Sequence, residues 1–182
     1  RTCIEVKRMR KEIDIPDEVE VTKTLDEFTF EGPNGTVERT FTYPGVTATV
    51  EDGTVVFETE SERKKQRATV GTFESQTENA FRGVTEGFEY EMKVLYSHFP
   101  MQVEVKGDTV EVRNFLGEKH PRETSVVGDT EVDVQDEEIV VRGPDKDDVG
   151  QTAANIEQVT YENDKDVRVF QDGIYITAKP EA

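Results

Sequence analysis

Few nucleophilic side chains in this sequence have a base beside them. Nucleophilic catalysis needs a serine, cysteine or threonine beside an organised base, and the candidates are Cys3 and Ser97, the latter directly before His98. Adjacent residues of an extended strand point to opposite faces, so Ser97 and His98 are poorly placed to share a proton. The sequence therefore predicts that the protein is not an enzyme.

Metal and cofactor sites are not indicated either. The chain has one cysteine and two histidines, which form no cluster with metal-ligand spacing. No glycine-rich phosphate loop is present. The 40 acidic residues among 182 make carboxylate pairs unavoidable, so such pairs carry no information about acid–base catalysis. We expect no metal, no cofactor and no small-molecule substrate.

Three stretches in the second half hold basic and polar side chains where acidic residues thin out. They run from Tyr96 to Pro100, from Asn114 to Arg122 and from Val149 to Gly173. Lysine and arginine contact phosphates, and a helix that starts at Gly150-Gln151-Thr152 would offer free backbone N–H groups to an anion. Ordinary loop polarity explains each stretch taken singly, but their shared location in one half favours a binding surface.

The overall charge argues against a polyanionic partner. The chain carries 40 acidic and 22 basic residues, a formal net charge of −18, whereas phosphate binding needs local positive charge. The acids are spread along the whole chain, as expected in a very salty cytoplasm, where self-repulsion is screened within about 3 Å at 1 M salt. A few well-placed cations could then still contact phosphates. The alternative is an ordinary acidic protein from a low-salt organism.

Other features bear on location. A single cysteine, Cys3, makes no intramolecular disulfide, which suits a reducing compartment. No run approaches the ~18 apolar residues of a membrane span. The charged start, Arg1 to Lys11, has no apolar segment behind it. We expect a cytoplasmic protein with no membrane contact.

The chain contains an internal repeat. Ile15 to Val21 reappears as Phe99 to Val105, and Val50 to Phe57 reappears as Val134 to Val141, both at a shift of 84 residues. Each half then runs into a helix that opens with the dipeptide Val-Gly. Chance similarity between β-rich segments is the alternative, but the matches occur in the same order in both halves. We interpret the chain as a tandem duplication.

Local patterns predict the elements of each half. Apolar alternation around Gly107-Asp108 predicts a two-residue hairpin, and Asp52-Gly53 and Asp172-Gly173 mark further tight turns. Helical spacing of apolar residues predicts helices over about 66–82 and 146–160. Each half is then a small antiparallel sheet packed against one helix, an α+β fold, and the seam falls near residues 95–98.

The second helix has the clearer pattern. Asp145, Asp147 or Asp148 can cap its start. Four apolar residues share its core-facing stripe and two polar residues face outward. The core-facing residues are Val149, Ala153, Ile156 and Val159, and the outward ones are Gln151 and Asn155.

Six segments together point to a known family, and they are Val70–Phe73, Gly83–Phe88, Tyr96–Pro100, Asn114–Lys119, Val149–Ala154 and Asp164–Tyr175. They resemble the large-subunit ribosomal protein L6 family in its archaeal and eukaryotic branch. The most specific is Asp164–Tyr175, where bacterial members carry a P-Y-K-G-K-G type sequence. The resemblance spans about residues 12–180, and the acidic composition suggests a haloarchaeal member.

The resemblance implies a non-enzymatic, two-domain protein of the large ribosomal subunit. It implies binding to large-subunit ribosomal RNA near the sarcin-ricin loop and the factor-binding region, mainly through the second domain, beside neighbouring ribosomal proteins. We expect a basic leader over 1–11, a first domain over 12–95 and a second, RNA-binding domain over 96–182. The RNA-facing residues carried over are Ser97, His98, Asn114, Gly117, Lys119, Arg122, Gly150, Gln151, Lys165 and Arg168.

Two features depart from the family pattern. His120 and Arg122-Glu123 stand where a more basic run is expected, and the leader holds five cations among eleven residues. A hypothesis from another class is a free-standing, β-rich protein-interaction module whose sheet edges bind protein partners. Salt separates the two, because RNA affinity falls with salt whereas apolar protein contacts hold or strengthen.

Overall fold

A computed structural model of the protein describes residues 8–166 and 168–180. The chain forms two compact units, the first ending at Glu86 and the second beginning at Gly87. In both, antiparallel strands are followed by one long helix, which confirms the predicted α+β tandem duplication. The strands of each unit form two separate sheets.

The first unit carries a long helix after its strands. The elements are β1 (Met9–Asp14), β2 (Glu20–Thr24), β3 (Glu27–Gly32), β4 (Gly35–Thr40), β5 (Thr47–Glu51), β6 (Thr54–Thr59) and α1 (Lys64–Thr85). One sheet has the strand order β1-β6-β5 and the other β2-β3-β4.

The second unit repeats this order and adds a strand after its helix. The elements are β7 (Phe88–Leu95), β8 (Gln102–Lys106), β9 (Thr109–Arg113), β10 (Arg122–Ser125), β11 (Glu131–Gln135), β12 (Glu138–Gly143), α2 (Lys146–Val159) and β13 (Gly173–Ala178). One sheet has the order β11-β12-β7-β13 and the other β10-β9-β8. A short 3₁₀ turn, Phe115–Gly117, lies between β9 and β10.

Each core forms where the helix covers its strands. In the first unit, α1 buries Val70, Phe73 and Phe81 against a group of phenylalanine rings, in which Phe41 and Phe57 stand edge to face at 5.0 Å. In the second unit the core is mainly aliphatic. The same arrangement of helix and strands is thus packed with aromatic side chains in the first unit and mainly with aliphatic side chains in the second.

The prediction for the second helix is confirmed in its main features. Val149, Ala153 and Ile156 are fully buried, and Val159 packs half-buried against the same core. Gln151 is exposed and Asn155 is half-buried. Among the proposed caps, the Asp145 carboxylate accepts a hydrogen bond from the Asp147 backbone N–H at 2.9 Å.

The repeat is confirmed, with one correction to its alignment. The hairpin β5–β6 maps onto β11–β12 at the predicted shift of 84 residues. In the other hairpin, however, the pair Thr24 and Glu27 corresponds to Lys106 and Thr109, a shift of 82 residues. The predicted match there was two residues out of register. It still placed side chains on the correct face, because strand faces repeat every two residues.

Two of the three predicted tight turns are confirmed. Asp52-Gly53 joins β5 to β6 with both φ angles positive, at 43° and 82°, and Gly107-Asp108 joins β8 to β9. The prediction for Asp172-Gly173 was wrong. Gly173 is the first residue of β13, which pairs with the distant strand β7 rather than with a hairpin neighbour.

The boundaries of the predicted domains also change. We placed the seam after residue 95, but β7 pairs with β12 on one side and β13 on the other, so it is a central strand of the second unit. Of the predicted leader 1–11, residues 1–7 lie outside the described residues. Met9 to Lys11 belong to β1 and pair with β6, so these three residues are part of the first unit's sheet.

The buried position of Ile156 generates a stability prediction. Ile156→Asp should lower the free energy of unfolding by about 3–5 kcal/mol, because it places an unpaired charge in a small apolar core. Urea unfolding followed by circular dichroism measures this loss. The matched control, Gln151→Asp on the exposed side of α2, should change stability by less than about 1 kcal/mol. Equal effects of the two substitutions would contradict the observed facing of the helix.

Candidate nucleic-acid interface

The segment before β8 packs against the turn after β9. The Asn114 side-chain amide donates to the Pro100 carbonyl oxygen at 3.0 Å, and Asn114 itself has a left-handed backbone, with φ of 60°. Gly117 has φ of +76°, and a Cβ atom there would lie 3.1 Å from the Phe99 ring. A larger residue at position 117 would therefore be strained and would press on that ring.

An internal carboxylate anchors the same segment from the other side. Asp172, which is 7% exposed, accepts a hydrogen bond from the Ser97 backbone N–H at 3.1 Å. The side chains of Ser97 and His98 remain exposed. The bond therefore attaches the segment to the residues before β13 and leaves these polar side chains on the outside.

Arg122 joins the turn to the end of α2. Its guanidinium donates to both Glu118 carboxylate oxygens at 2.9 and 2.7 Å, to the Val159 carbonyl at 3.0 Å and to Glu162 at 2.5 Å. It also lies 4.5 Å from the centre of the buried Phe115 ring. A cation near the last carbonyls of a helix interacts favourably with the helix dipole. The side chain thus holds three parts of the unit together.

The charges of this network shift each other's pKa values. Hydrogen bonding to Arg122 lowers the pKa of Glu118, and hydrogen bonding to Glu118 raises the pKa of Arg122 despite its partial burial. Folding lowers the pKa of Glu118. The ion pair therefore stabilises the folded state at pH values above the ordinary pKa of a glutamate side chain. That stabilisation is lost as the pH falls through the lowered pKa of Glu118.

Further hydrogen bonds fix β13 to the end of α2. The Thr160 hydroxyl accepts from the Ile174 backbone N–H at 2.9 Å, and the Glu157 carboxylate accepts from the Ile176 backbone N–H at 3.0 Å. A cavity of about 210 Å³ opens beside them, lined in part by Tyr161, Phe170 and Tyr175. Burial, followed by the nearby Asp172 and Glu157 carboxylates, raises the pKa of Tyr175.

The basic residues of these segments differ in whether their charged groups already have a partner. Within the described part of the chain, the exposed side chain of Lys119 has no hydrogen bond or ion pair. The Lys165 ammonium stands 5.4 Å from the centre of the Phe170 ring. Arg168 is paired with Asp166 at 3.1 Å but is 86% exposed. By contrast, Arg122 already donates to four internal acceptors and is the least available of them.

The structure therefore links most of the predicted site residues through one set of hydrogen-bonded segments. Two predicted residues lie elsewhere. Gly150 and Gln151 precede Val159 by eight or nine residues, which corresponds to about 12–14 Å along a helix. The residues linked by the segments are Ser97, His98, Asn114, Gly117, Lys119, Arg122, Lys165 and Arg168.

The expected anion site at Gly150 was wrong, because Gly150 does not lie in the first turn of the helix. The helix begins at Lys146, so Gly150 is its fifth residue, and Val149 already donates its backbone N–H to the Asp145 carbonyl at 3.0 Å. The free N–H groups of a helix belong to its first turn. Asp147 and Asp148 occupy that turn and make it unfavourable for an anion. Val149 is thus a buried anchor inside the helix, and Gly150 beside it is half-buried.

Sequence reasoning missed the residues that hold this face in place. Asp172 was interpreted as part of a tight turn, yet it is a buried acceptor for Ser97. Thr160 and Glu157, which bind β13, were not singled out at all. A signal was present for Thr160, because a polar residue directly after an apolar helix face is a common place for a capping hydrogen bond.

The described residues contain no group of three His, Cys, Asp or Glu side chains that could hold a metal ion. Neither of their two long helices is apolar enough over a sufficient length to cross a bilayer.

Comparison with known proteins identifies the family. A sequence model described as Ribosomal protein L6 matches residues 15–87 and again residues 99–173. The large ribosomal subunit protein uL6 of Natronomonas pharaonis is 60% identical over 173 residues, covering 95% of this chain and 98% of that protein. The protein of the same name from Haloarcula marismortui is 55% identical over 171 residues, covering 94% and 96%. The chain belongs to the ribosomal protein L6 family.

Membership in the L6 family confirms the resemblance seen in the sequence. The similar proteins come from archaea, halophiles among them, and include that of Methanosarcina mazei at 55% identity over 174 residues. The two matches of the family model cover equivalent elements, from just before β2 to α1 and from just before β8 to the start of β13. The family consists of structural ribosomal proteins, and the prediction that the chain is not an enzyme is confirmed on that ground.

The contacts of Arg122 generate a second stability prediction. Arg122→Gln should lower the free energy of unfolding by about 2 kcal/mol, because it removes charge-assisted hydrogen bonds and leaves Glu118 and Glu162 without their partner. Urea titration at fixed, high potassium measures the change. The control Arg168→Gln removes the same charge from an exposed ion pair and should cost less than about 0.5 kcal/mol. Equal losses would show that Arg122 has no special structural role.

Proposed function

We propose that this L6-family chain is a structural component of the large ribosomal subunit and binds large-subunit ribosomal RNA with its second unit. The observation that carries the proposal is the exposed face formed by segments 96–100, 114–122, 160–166 and 168–172, which internal hydrogen bonds hold in place. Its relatives support it, since each is named a large ribosomal subunit protein. By resemblance, the RNA region is that near the sarcin-ricin loop and the factor-binding region, beside neighbouring ribosomal proteins.

The side chains of this face suit contacts with an RNA backbone. Lys119, Lys165 and Arg168 supply positive charge for phosphates. The ion pair of Arg168 with Asp166 is exposed, and exposed pairs are weak enough to exchange for a phosphate. Ser97 and His98 offer polar groups to sugar and phosphate oxygens.

The remaining predicted residues have other roles in the proposal. Asn114 and Gly117 shape the turn, and the absence of a side chain at Gly117 allows the Phe99 ring to approach the backbone closely. Arg122 positions the turn from inside, because its donors are already engaged. Gly150 and Gln151 contact RNA only where the RNA extends along α2 toward its start.

The net charge of −18 sets a condition on this function. Long-range repulsion between the acidic chain and RNA must be screened, which concentrated salt does within a few ångströms. Binding then depends on the few cations in direct contact with phosphates. Counterion release still makes the affinity fall as salt rises. A protein-interaction module would instead hold or gain affinity for its partner with salt.

The proposal is tested by removing the three most available cations of the face. Lys119, Lys165 and Arg168 are changed together to Gln, and binding to a large-subunit RNA fragment containing the sarcin-ricin stem is measured across a potassium titration. Each lost phosphate contact removes about 0.9 from the log–log salt slope for a duplex. The slope should therefore flatten by about 2–3.

A matched control separates the effect of where the cations lie from the effect of the net charge. Lys106, Arg142 and Lys146 lie in the same unit, outside the segments of this face, and their joint change to Gln alters the charge by the same amount. This variant should bind nearly as the unchanged chain does. If both triple variants lose the same affinity, the face named above does not hold the RNA.

A further inference from the structure

The first turn of α1 carries a cluster of positive side chains. Arg63, Lys64, Lys65 and Arg67 fall within five positions and are all exposed. They stand in the first unit, which sequence reasoning did not single out for RNA binding. In a chain of net charge −18, such a local excess of cations calls for a physical reason.

These four cations differ from the others of the first unit. Within the described residues none of their side chains has a hydrogen bond or an ion pair, and Lys65 only stands 5.9 Å from the centre of the Tyr43 ring. The preceding acids Glu60 and Glu62 are not paired with them. The other cations among the described residues of this unit contact carboxylate or carbonyl oxygens, and they are Arg8, Arg10, Lys11, Lys23, Arg39 and Arg82.

The cluster is unfavourable for the helix itself. Backbone N–H groups make the start of a helix positive, so cations there are repelled, and like charges three or four positions apart repel each other. Arg63 occupies the N-cap position without a side-chain cap, and the first turn holds no acid. Local choices that oppose the fold are expected where a residue serves function.

The second unit provides an internal comparison. Val70 and Val149 are fully buried at matching places in the two helices, yet α1 begins six residues before Val70 and α2 three residues before Val149. The additional residues of α1 include Lys64 and Lys65. The start of α2 instead has Asp145 as its cap and acids in its first turn. The basic start is thus an addition to the repeated unit.

We propose that the first turn of α1 is a second RNA contact, in which these four side chains bind backbone phosphates. The inference rests on the proposed RNA binding and extends it to the first unit. The observation that carries the inference is that these cationic side chains are unpaired. The backbone N–H groups of the helix are not needed for the proposed phosphate contact.

The spacing of the charges favours RNA over an acidic protein surface. Positions 63 and 67 are about 6 Å apart along a helix axis. Duplex DNA carries one negative charge per about 1.7 Å of its axis, and RNA has the same charge per nucleotide, so the density of charge matches that of the cluster. Carboxylates packed that densely on a protein would repel one another strongly. An acidic protein partner is therefore the competing outcome of the test.

The first experiment compares matched variants of the full chain. Arg63, Lys64, Lys65 and Arg67 are changed together to Gln in one variant, and the paired cations Arg8, Arg10, Lys11 and Arg82 in the control. With assembled large-subunit RNA as the probe, the log–log salt slope of the first should flatten by about 3–4. The control should stay near the unchanged chain. Equal slopes for the two variants would overturn the inference.

The same series separates this inference from the proposed function. If the unchanged chain binds no RNA, the proposed function fails and this inference with it. If the chain binds and the second-unit triple variant loses affinity while the α1 variant matches its control, only the inference about α1 fails. Circular dichroism of each variant verifies that the fold is retained.

Crosslinking in native large subunits identifies the partner. One reagent joins lysine amines to nucleobases, and a carbodiimide joins amines directly to carboxylates; peptides containing Lys64 or Lys65 are then read by mass spectrometry. Nucleotide adducts on these lysines support the proposal. Crosslinks to protein carboxylates alone, or no crosslink with either reagent, would overturn it.

Discussion

The rest of each unit depends on burying one face of its single long helix. Only 34% of the residues are hydrophobic, so each helix must concentrate its apolar side chains on the stripe that meets the strands. In α2 this stripe includes Ala153 and Ile156, both fully buried. Their packing fixes where α2 ends, and the end of α2 supplies the Val159 carbonyl to Arg122 and the Thr160 hydroxyl to β13. The proposed RNA face is therefore held by contacts that begin in the core.

Sequence reasoning succeeded where the controlling interactions are local. Hairpin turns and the buried face of α2 follow from spacings of two to four residues, which the sequence displays directly. It failed where a distant partner decides. β7 belongs to the second unit because it pairs with β12 and β13, more than 40 residues further along the chain. The predicted bounds of α2, about 146–160, match Lys146–Val159, but the idea that the helix opens at Val149-Gly150 was wrong, because Val149 is a buried residue in its second turn.

The candidate site shows the same division. The segments that form the face were found from composition and resemblance, but the availability of each side chain could not be. Arg122 and Lys119 are both cations of one short stretch, yet Arg122 is held by Glu118 and Glu162 while Lys119 is free within the described residues. Glu118 lies four positions before Arg122 and offered a local sign of one ion pair. The second ion pair, with Glu162, lies 40 positions away and has no local pattern.

Duplication of one unit explains how an acidic chain can still present exposed cations, which the proposed RNA contacts use. The fold needs only the buried stripe of the helix and the inward faces of the strands, so the helix start and the loops are free to diverge. In α2 acids occupy the start, as the helix dipole favours; in α1 cations occupy it against that preference. Most other cations in the described part of the chain are paired with neighbouring acids, as Arg10 is with Glu12 and Glu51. Net charge therefore governs solubility in salt, while the proposed RNA binding depends on cations that are unpaired or held only in an exposed ion pair.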